Sequence, residues 1–467
     1  MKKILICFYF LVTLPLHSRT SEPIETLVHT RTGMEIAWQK EEAVRDVSSK
    51  LVRTLLRQPL TIASAVQIAI LNNRNLQATF EEIGIAQSNV REALTVPNPS
   101  LDFDVQFPAS PNTLNRYGWL IGQEFAQILM MPLKKRISEQ ALEAAELRVA
   151  AEVLHLVAEV KKSYFTLQAD LQFLAYLRII QETHAISLEF AQKQYQAGNT
   201  SNLALLQYQD SYNEGRLEIA DAESICEQHR ENLNILLGLW GKQTNWKIQG
   251  ELPLARNEHF SNKQLESLAI TQRLDLRAAR YRVASLTTTL GLTETFRWLP
   301  ILDFGFSGER DNDASLNMGP AFRVELPIFN QGQFRVERSQ AELRRALAKF
   351  EALAIQIRAN VRKFNNQVQV QSAKVQFYQK EVFPTLEQIM NQSMAQYNAM
   401  QISPYTLFLT KAQQVRAKRD YICALRDYWI ARAELERIVG GTLTPIKSQI
   451  AAFAGHPAKS RTQKKSQ

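Results

Sequence analysis

Cysteine is nearly absent from this chain, with three in 467 residues. Cys7 lies in an N-terminal apolar run, and Cys226 and Cys423 stand alone in helical patterns. Two scattered thiols make no disulfide framework, so packing must hold the fold, and each is expected to act as a small buried hydrophobe. Long hydrophobic runs are also missing. Past residue 20 there is no stretch of eighteen apolar residues, so no membrane-spanning helix is expected. The seven histidines are dispersed, no nucleophile motif appears, and no glycine-rich loop joins a strand to a helix. No enzyme is therefore expected, with no catalytic residue, cofactor or metal site. His155, His184 and His229 fall beside helical heptads and read as surface or packing residues. Met130 and Met131 are adjacent, without the converging His or Cys that a soft metal requires. The net charge of +9 has no nucleic-acid motif to accompany it, and part of it sits in the two ends of the chain.

The N-terminus, MKKILICFYFLVTLPLHSRT, has the order of a secretory signal peptide: basic residues, a short apolar core, then small and polar residues. Residues 1–20 are assigned to it. Cys7 lacks the small neighbours of a lipoprotein cleavage site, so no lipid anchor is expected there.

Glycine and proline are missing from residues 133–197. A helix of that length would reach roughly 95–100 Å. Heptad steps run through Val153, Val157, Val160, Tyr164, Leu167, Leu171 and Leu174. They recur through Ala354, Ile357, Val361, Phe364, Val368, Gln371, Val375, Tyr378 and Val382. A 3.5-residue spacing keeps a narrow seam against a partner helix, as in coiled coils.

Beside the helices stands PNPSLDFDVQFP, residues 97–108, in which apolar and polar residues alternate as in a two-faced strand. It has a twin. PSLDF at Pro99 returns as PILDF at Pro300, QYQAGNTS at Gln194 as QYNAMQIS at Gln396, and NILLG as ERIVG. The common order and spacing imply a tandem duplication. Each half then reads as helix, strand, loop, strand, long helix, turn and returning helix.

Four strands are expected, at 101–107, 117–125, 301–307 and 316–326. One face carries Tyr117, Trp119, Ile121, Leu302, Phe304, Phe306, Phe322, Val324 and Leu326. The other carries Asp102, Asp104, Gly118, Gly122, Asp303, Gly305, Ser307, Arg323 and Glu325. Their length and alternation suit tilted membrane strands. Four strands cannot close a barrel alone, and unpaired backbone cannot face lipid. The residues leave two arrangements, a soluble sheet on a core or one barrel shared by several chains.

With LTIASAVQIAILNNRNL, PNPSLDF, LPIFNQGQFRVERSQAELRRA, the two QY turns and the LLG and IVG repeat ends, the chain resembles the outer-membrane efflux protein family, the TolC-like exit ducts, over residues 60–441. PNPSLDFDVQFP and QEFAQILMMPLKKR look nearest to its heavy-metal cation branch. The resemblance implies a mainly α fold with a small β part. Long coiled-coil hairpins form a periplasmic tunnel, and four strands per chain enter a twelve-stranded barrel of a homotrimer in the outer membrane. It implies a passive duct for heavy-metal cations or drugs, with outer-membrane lipid, a periplasmic adaptor (membrane fusion protein) and an inner-membrane efflux transporter as partners. Type I protein secretion and a non-channel periplasmic coiled-coil scaffold are the alternatives. The expected organisation is an N-terminal extension at 21–59, a first repeat at 60–240, an equatorial segment at 241–264, a second repeat at 265–441 and a basic tail at 442–467.

By position, the resemblance makes the hairpin turns adaptor-docking sites: Gly198, Asn199, Thr200, Ser201 and Asn202 in the first, Met400, Gln401, Ile402, Ser403 and Pro404 in the second. Gly198 is expected in the left-handed region, with Met400 replacing it in the second turn. Such ducts often narrow through aspartate rings just after these turns. Here Ala204, Thr406 and Leu409 stand at those positions, so the mouth is expected to close by packing, with Tyr405 and Phe408 nearby.

Overall fold

The computed structural model describes residues 23–39, 41–107, 114–248, 250–298, 301–311, 313 and 315–443. The expected signal peptide and all but the first two residues of the basic tail lie outside them. Two short helices come first, α1 (Ile24–Thr32) and α2 (Glu42–Leu55). The first half follows as α3 (Ile62–Asn72), α4 (Arg74–Ala93), β1 (Ser100–Gln106), β2 (Arg116–Glu124), α5 (Phe125–Gln196) and α6 (Asn202–Leu237). The second half repeats the plan as α7 (Asn262–Gln272), α8 (Leu274–Phe296), β3 (Leu302–Arg310), β4 (Leu316–Val324), α9 (Gln333–Phe377), α10 (Phe383–Asn398) and α11 (Pro404–Val439).

The 72-residue α5 is about 108 Å long at 1.5 Å per residue. It begins eight residues before the glycine- and proline-free run and passes through Pro132. An interior proline forfeits its own backbone hydrogen bond and costs about 3 kcal/mol. The long buried seam of α5 offsets that, with Val153, Val160, Tyr164, Leu167 and Leu174 all buried as the heptads require. In the second half Ile357, Val361, Val368 and Val375 are buried in the same way.

Pro384 does not end the second long helix. The chain takes one π-helical turn, Tyr378–Val382, in which the Phe383 N–H donates to the Tyr378 carbonyl. The wider turn makes room for the proline ring, and α10 continues with Pro384 in its first turn.

The core gathers α5 against the segment that joins the halves. Leu60 is fully buried; its N–H donates to the Lys247 carbonyl at 2.7 Å and its carbonyl accepts from the Tyr164 hydroxyl at 2.9 Å. The segment joining the halves wraps this level. Trp429 donates to the Pro253 carbonyl at 2.8 Å, Gln168 to the Glu251 carbonyl at 3.0 Å, and Asn365 to the Phe260 carbonyl at 3.1 Å. At the first repeat end, the Asn72 side chain donates to the carbonyls of Leu237 and Gly238. At the second, Arg31 reaches in from α1 and donates to those of Gln272 and Gly440, at 2.6 and 2.7 Å.

Candidate functional site

The four strands form one antiparallel sheet in chain order, with β1 and β4 at its open edges. Register decides what each face holds. Leu101 opposes Ile121, Phe103 opposes Trp119 and Val105 opposes Tyr117. Ile121 continues across to Phe306, Phe304 opposes Phe322, and Leu302 opposes Val324. All these share one side, and they point away from any core: Phe103 is 65% exposed, Phe304 52% and Phe322 68%. Phe304 and Phe322 meet edge to face at 5.2 Å, which stiffens the apolar face.

The opposite face carries Asp102, Asp104, Asp303, Ser307, Glu309, Arg116 and Arg323. Arg116 pairs with Glu309 on the neighbouring strand, and Arg323 pairs with Asp303 at 3.6 Å. Gly118, Gly122 and Gly305 lie between them, each buried. A Cβ on Gly305 would come within 2.5 Å of the Ile121 carbonyl, so that inner face is tightly drawn together.

The sequence placed both faces correctly, and Glu325 and Leu326 fall just past the end of β4. The strand limits move. β3 runs three residues further, to Arg310, because the alternation lapses at Gly308 while the pairing does not. The Trp119 ring fills the place of the absent side chain, within 2.5 Å of where a Gly308 Cβ would stand.

The two hairpin turns share one geometry at the far ends of the long helices. Gly198 has φ +72°, Asn199 donates to the Gln194 carbonyl at 2.8 Å, and the Ser201 side chain accepts from the Ala204 N–H at 3.2 Å. In the second turn Met400 has φ +58°, Gln401 donates to the Gln396 carbonyl at 2.9 Å, and Ser403 accepts from the Thr406 N–H at 3.3 Å. Each turn is a left-handed helix stop followed at once by a serine N-cap. Met400 is thus held where glycine is favoured, and its side chain is 94% exposed. Asn199, Ser201, Asn202, Gln401 and Ser403 are exposed, and Thr200 and Ile402 are half-buried.

Burial pushes the Tyr208 phenol up, and Tyr397 of the other hairpin adds to the shift. Ala204 is half-buried, whereas Thr406 and Leu409 are exposed. The side chains of Pro404, Tyr405 and Phe408 lie outside the described residues. Residues 194–209 and 388–410 contain no charged side chain, so the whole tip is uncharged.

The His184 Nδ1–H donates to the Ser211 carbonyl at 3.1 Å, and His229 pairs with Asp170 at 2.5 Å. Both stitch α5 to α6. Among the described residues no group of three His, Cys, Asp or Glu could hold a metal ion, and no helix is long and apolar enough to cross a membrane.

Among proteins of similar sequence, the cobalt-zinc-cadmium resistance protein CzcC of Cupriavidus metallidurans is 23% identical over 85% of this chain and 95% of its own. The cation efflux system protein CusC of Escherichia coli K12 is 25% identical over 61% of this chain and 65% of its own. The crystal structure of the Campylobacter jejuni CmeC outer membrane channel superposes with a TM-score of 0.70 at 14% identity, covering 95% of this chain and 98% of that one. A CusC crystal structure gives 0.68 at 18% identity, covering 84% and 92%. The model of outer membrane efflux proteins matches each half of the duplication in turn, at residues 65–239 and 265–441, and the chain belongs to that family.

Proposed function

We propose that this protein is the passive exit duct of a tripartite pump for heavy-metal cations. The carrying observation is the sheet: one face apolar and exposed, the other polar, and both edges unpaired. Only closure against other copies satisfies those edges in lipid. Family members are trimeric outer-membrane factors that work with an adaptor and an inner-membrane transporter. Three copies of a four-stranded sheet make a twelve-stranded barrel with apolar residues outward and the Asp102, Asp104 and Ser307 face lining water. The cargo is inferred from CzcC and CusC, both named for cation resistance or efflux. A passive duct needs no metal site of its own.

The hairpin turns are the adaptor-docking tips. Their support is the shared geometry of two turns that expose uncharged side chains. Thr200→Asp or Ser403→Asp is expected to abolish cation export, read as lost tolerance to cobalt, zinc, cadmium or copper salts, while cross-linking in intact membranes still traps trimers. Export that survives both changes at normal protein levels places docking elsewhere. Ala204, Thr406 and Leu409 cannot form a carboxylate ring that concentrates cations, so the mouth closes by packing at this level, with Tyr405 and Phe408 nearby in the chain. In planar bilayers the wild-type pore should be weakly blocked by multivalent cations from the periplasmic side, and Thr406→Asp should strengthen the block. Tight block of the unmodified pore, indifferent to that change, removes this gate.

A further inference from the structure

The second half has a feature that the first lacks. β2 passes directly into α5, whereas β4 is joined to α9 by a loop over residues 325–332 that displays its apolar side chains outward. Leu326 is 72% exposed, Ile328 68% and Phe329 94%, and Phe334 in the first turn of α9 is 69% exposed. The loop is pinned. Ile328 donates to the Leu326 carbonyl across Pro327 at 2.8 Å, Asn330 accepts from the Gly332 N–H at 3.1 Å, and Gly332 turns the chain at φ +73°. A Cβ on Gly332 would stand 3.0 Å from the Arg297 side chain and 3.3 Å from the Arg335 guanidinium. The end of α8 is therefore packed under the loop, and Arg297 lies over the ring of Trp298 at 4.5 Å.

We propose that this loop and the end of α8 form an anchor in the periplasmic leaflet of the outer membrane. Ile328, Phe329, Phe334 and Trp298 enter the boundary between headgroups and acyl chains, while Arg297 and Arg335 hold phospholipid phosphates. The occupant follows from continuity. Val324 ends the apolar face of the sheet, and Leu326 and Ile328 extend it beyond the last strand pair on the helical side. Exposed aromatics beside arginines are the composition of a membrane interface, where rings sit at headgroup level and guanidinium groups meet phosphate. The anchor rests on the barrel reading above, because it continues that barrel's lipid face.

The test uses the full-length trimer in vesicles of phosphatidylethanolamine and phosphatidylglycerol, with Cys226 and Cys423 replaced by alanine. A nitroxide is placed through Phe329→Cys, and in a second protein through Phe103→Cys on the sheet face. Collision with oxygen at residue 329 should exceed collision with a water-soluble nickel chelate several-fold. Exclusion of both reagents would mean that a second copy of this chain covers the loop, and free access of the chelate would mean water; either result overturns the anchor. Residue 103 separates the two readings. If it reports lipid while residue 329 does not, the barrel stands and the anchor falls; if neither reports lipid, the barrel itself fails. Arg297→Gln with Arg335→Gln should reduce the phosphatidylglycerol retained by the purified trimer with residue 103 unchanged, and undiminished retention removes the phosphate contact.

Discussion

The two halves of this chain share a plan and differ where their surroundings must differ. In the first, α5 is one helix with buried residues along most of its length. In the second, the matching stretch is divided by a π-helical turn, and α10 has no buried residue at all. The first turn uses Gly198 and the second Met400. Asn72 ties down the first repeat end from within its own half, whereas Arg31 of the extension does so for the second. A duplication preserves what one chain needs to fold and drifts where other surfaces take over. In one copy, the second hairpin is the incomplete one.

The sheet offers the largest test of this comparison, because its two faces meet opposite media on neighbouring residues. Phe304→Arg places a charge on the apolar face and should destabilise the assembled protein by about 2–4 kcal/mol per copy. Ser307→Arg lies on the polar face and should cost well under half of that, changing conductance instead. Urea unfolding of the reconstituted trimer reads the first effect and single-channel recording the second. Equal losses of stability would mean that both faces meet the same medium.

The repeat ends come next. Removing Arg31 leaves the Gln272 and Gly440 carbonyls without their guanidinium donor, and Arg31→Ala should cost about 2–3 kcal/mol. Asn72→Ala removes neutral hydrogen bonds and should cost about 1–2 kcal/mol. Thermal dissociation of the trimer ranks the two. If Arg31→Ala proves neutral, the extension does not support the second half.

These ties also mark the limit of what the residues disclose. The sheet faces were legible because alternation is local: Phe304, Gly305, Phe306 and Ser307 state their sides within a few positions. The heptad seam was legible for the same reason. Arg31 was not, since its partners are backbone carbonyls 241 and 409 residues away and leave no trace in side-chain pattern. The passage of helix through Pro132 and Pro384 was illegible too, because each depends on packing that local propensity does not record. At the hairpin tips, the matched QY turns disclosed Met400 as the counterpart of Gly198. The charge-free stretches 194–209 and 388–410 stand in the sequence itself.

The smallest expected effect lies on the seam between α5 and α11, where the halves again differ. Matching NILLG with ERIVG puts Glu434 and Glu436 opposite Asn232 and Asn234 of the first half. Lys161 donates to Glu436 at 2.6 Å, and Lys162 to Glu434 at 2.8 Å. Burial alone would raise the Glu434 carboxyl, but hydrogen bonds from Lys162 and Arg437 outweigh it and hold it below its usual value of 4.5. A carboxylate depressed in the folded state contributes stability above its unfolded value, and that stability drains away as pH falls through the folded one. The acid limb therefore begins near pH 4.5 and continues below it. Because the pair is partly exposed, the contribution is about 0.5–1 kcal/mol. Glu434→Gln should flatten this part of the stability profile below pH 4.5 and leave a shallow loss at neutral pH. The first-half variant Asn232→Ala should leave the acid limb as it was. If Glu434→Gln leaves the limb unchanged, acid sensitivity on this seam comes from Glu436 with Lys161 or from elsewhere, and the difference between Glu434 and Asn232 carries no weight in stability.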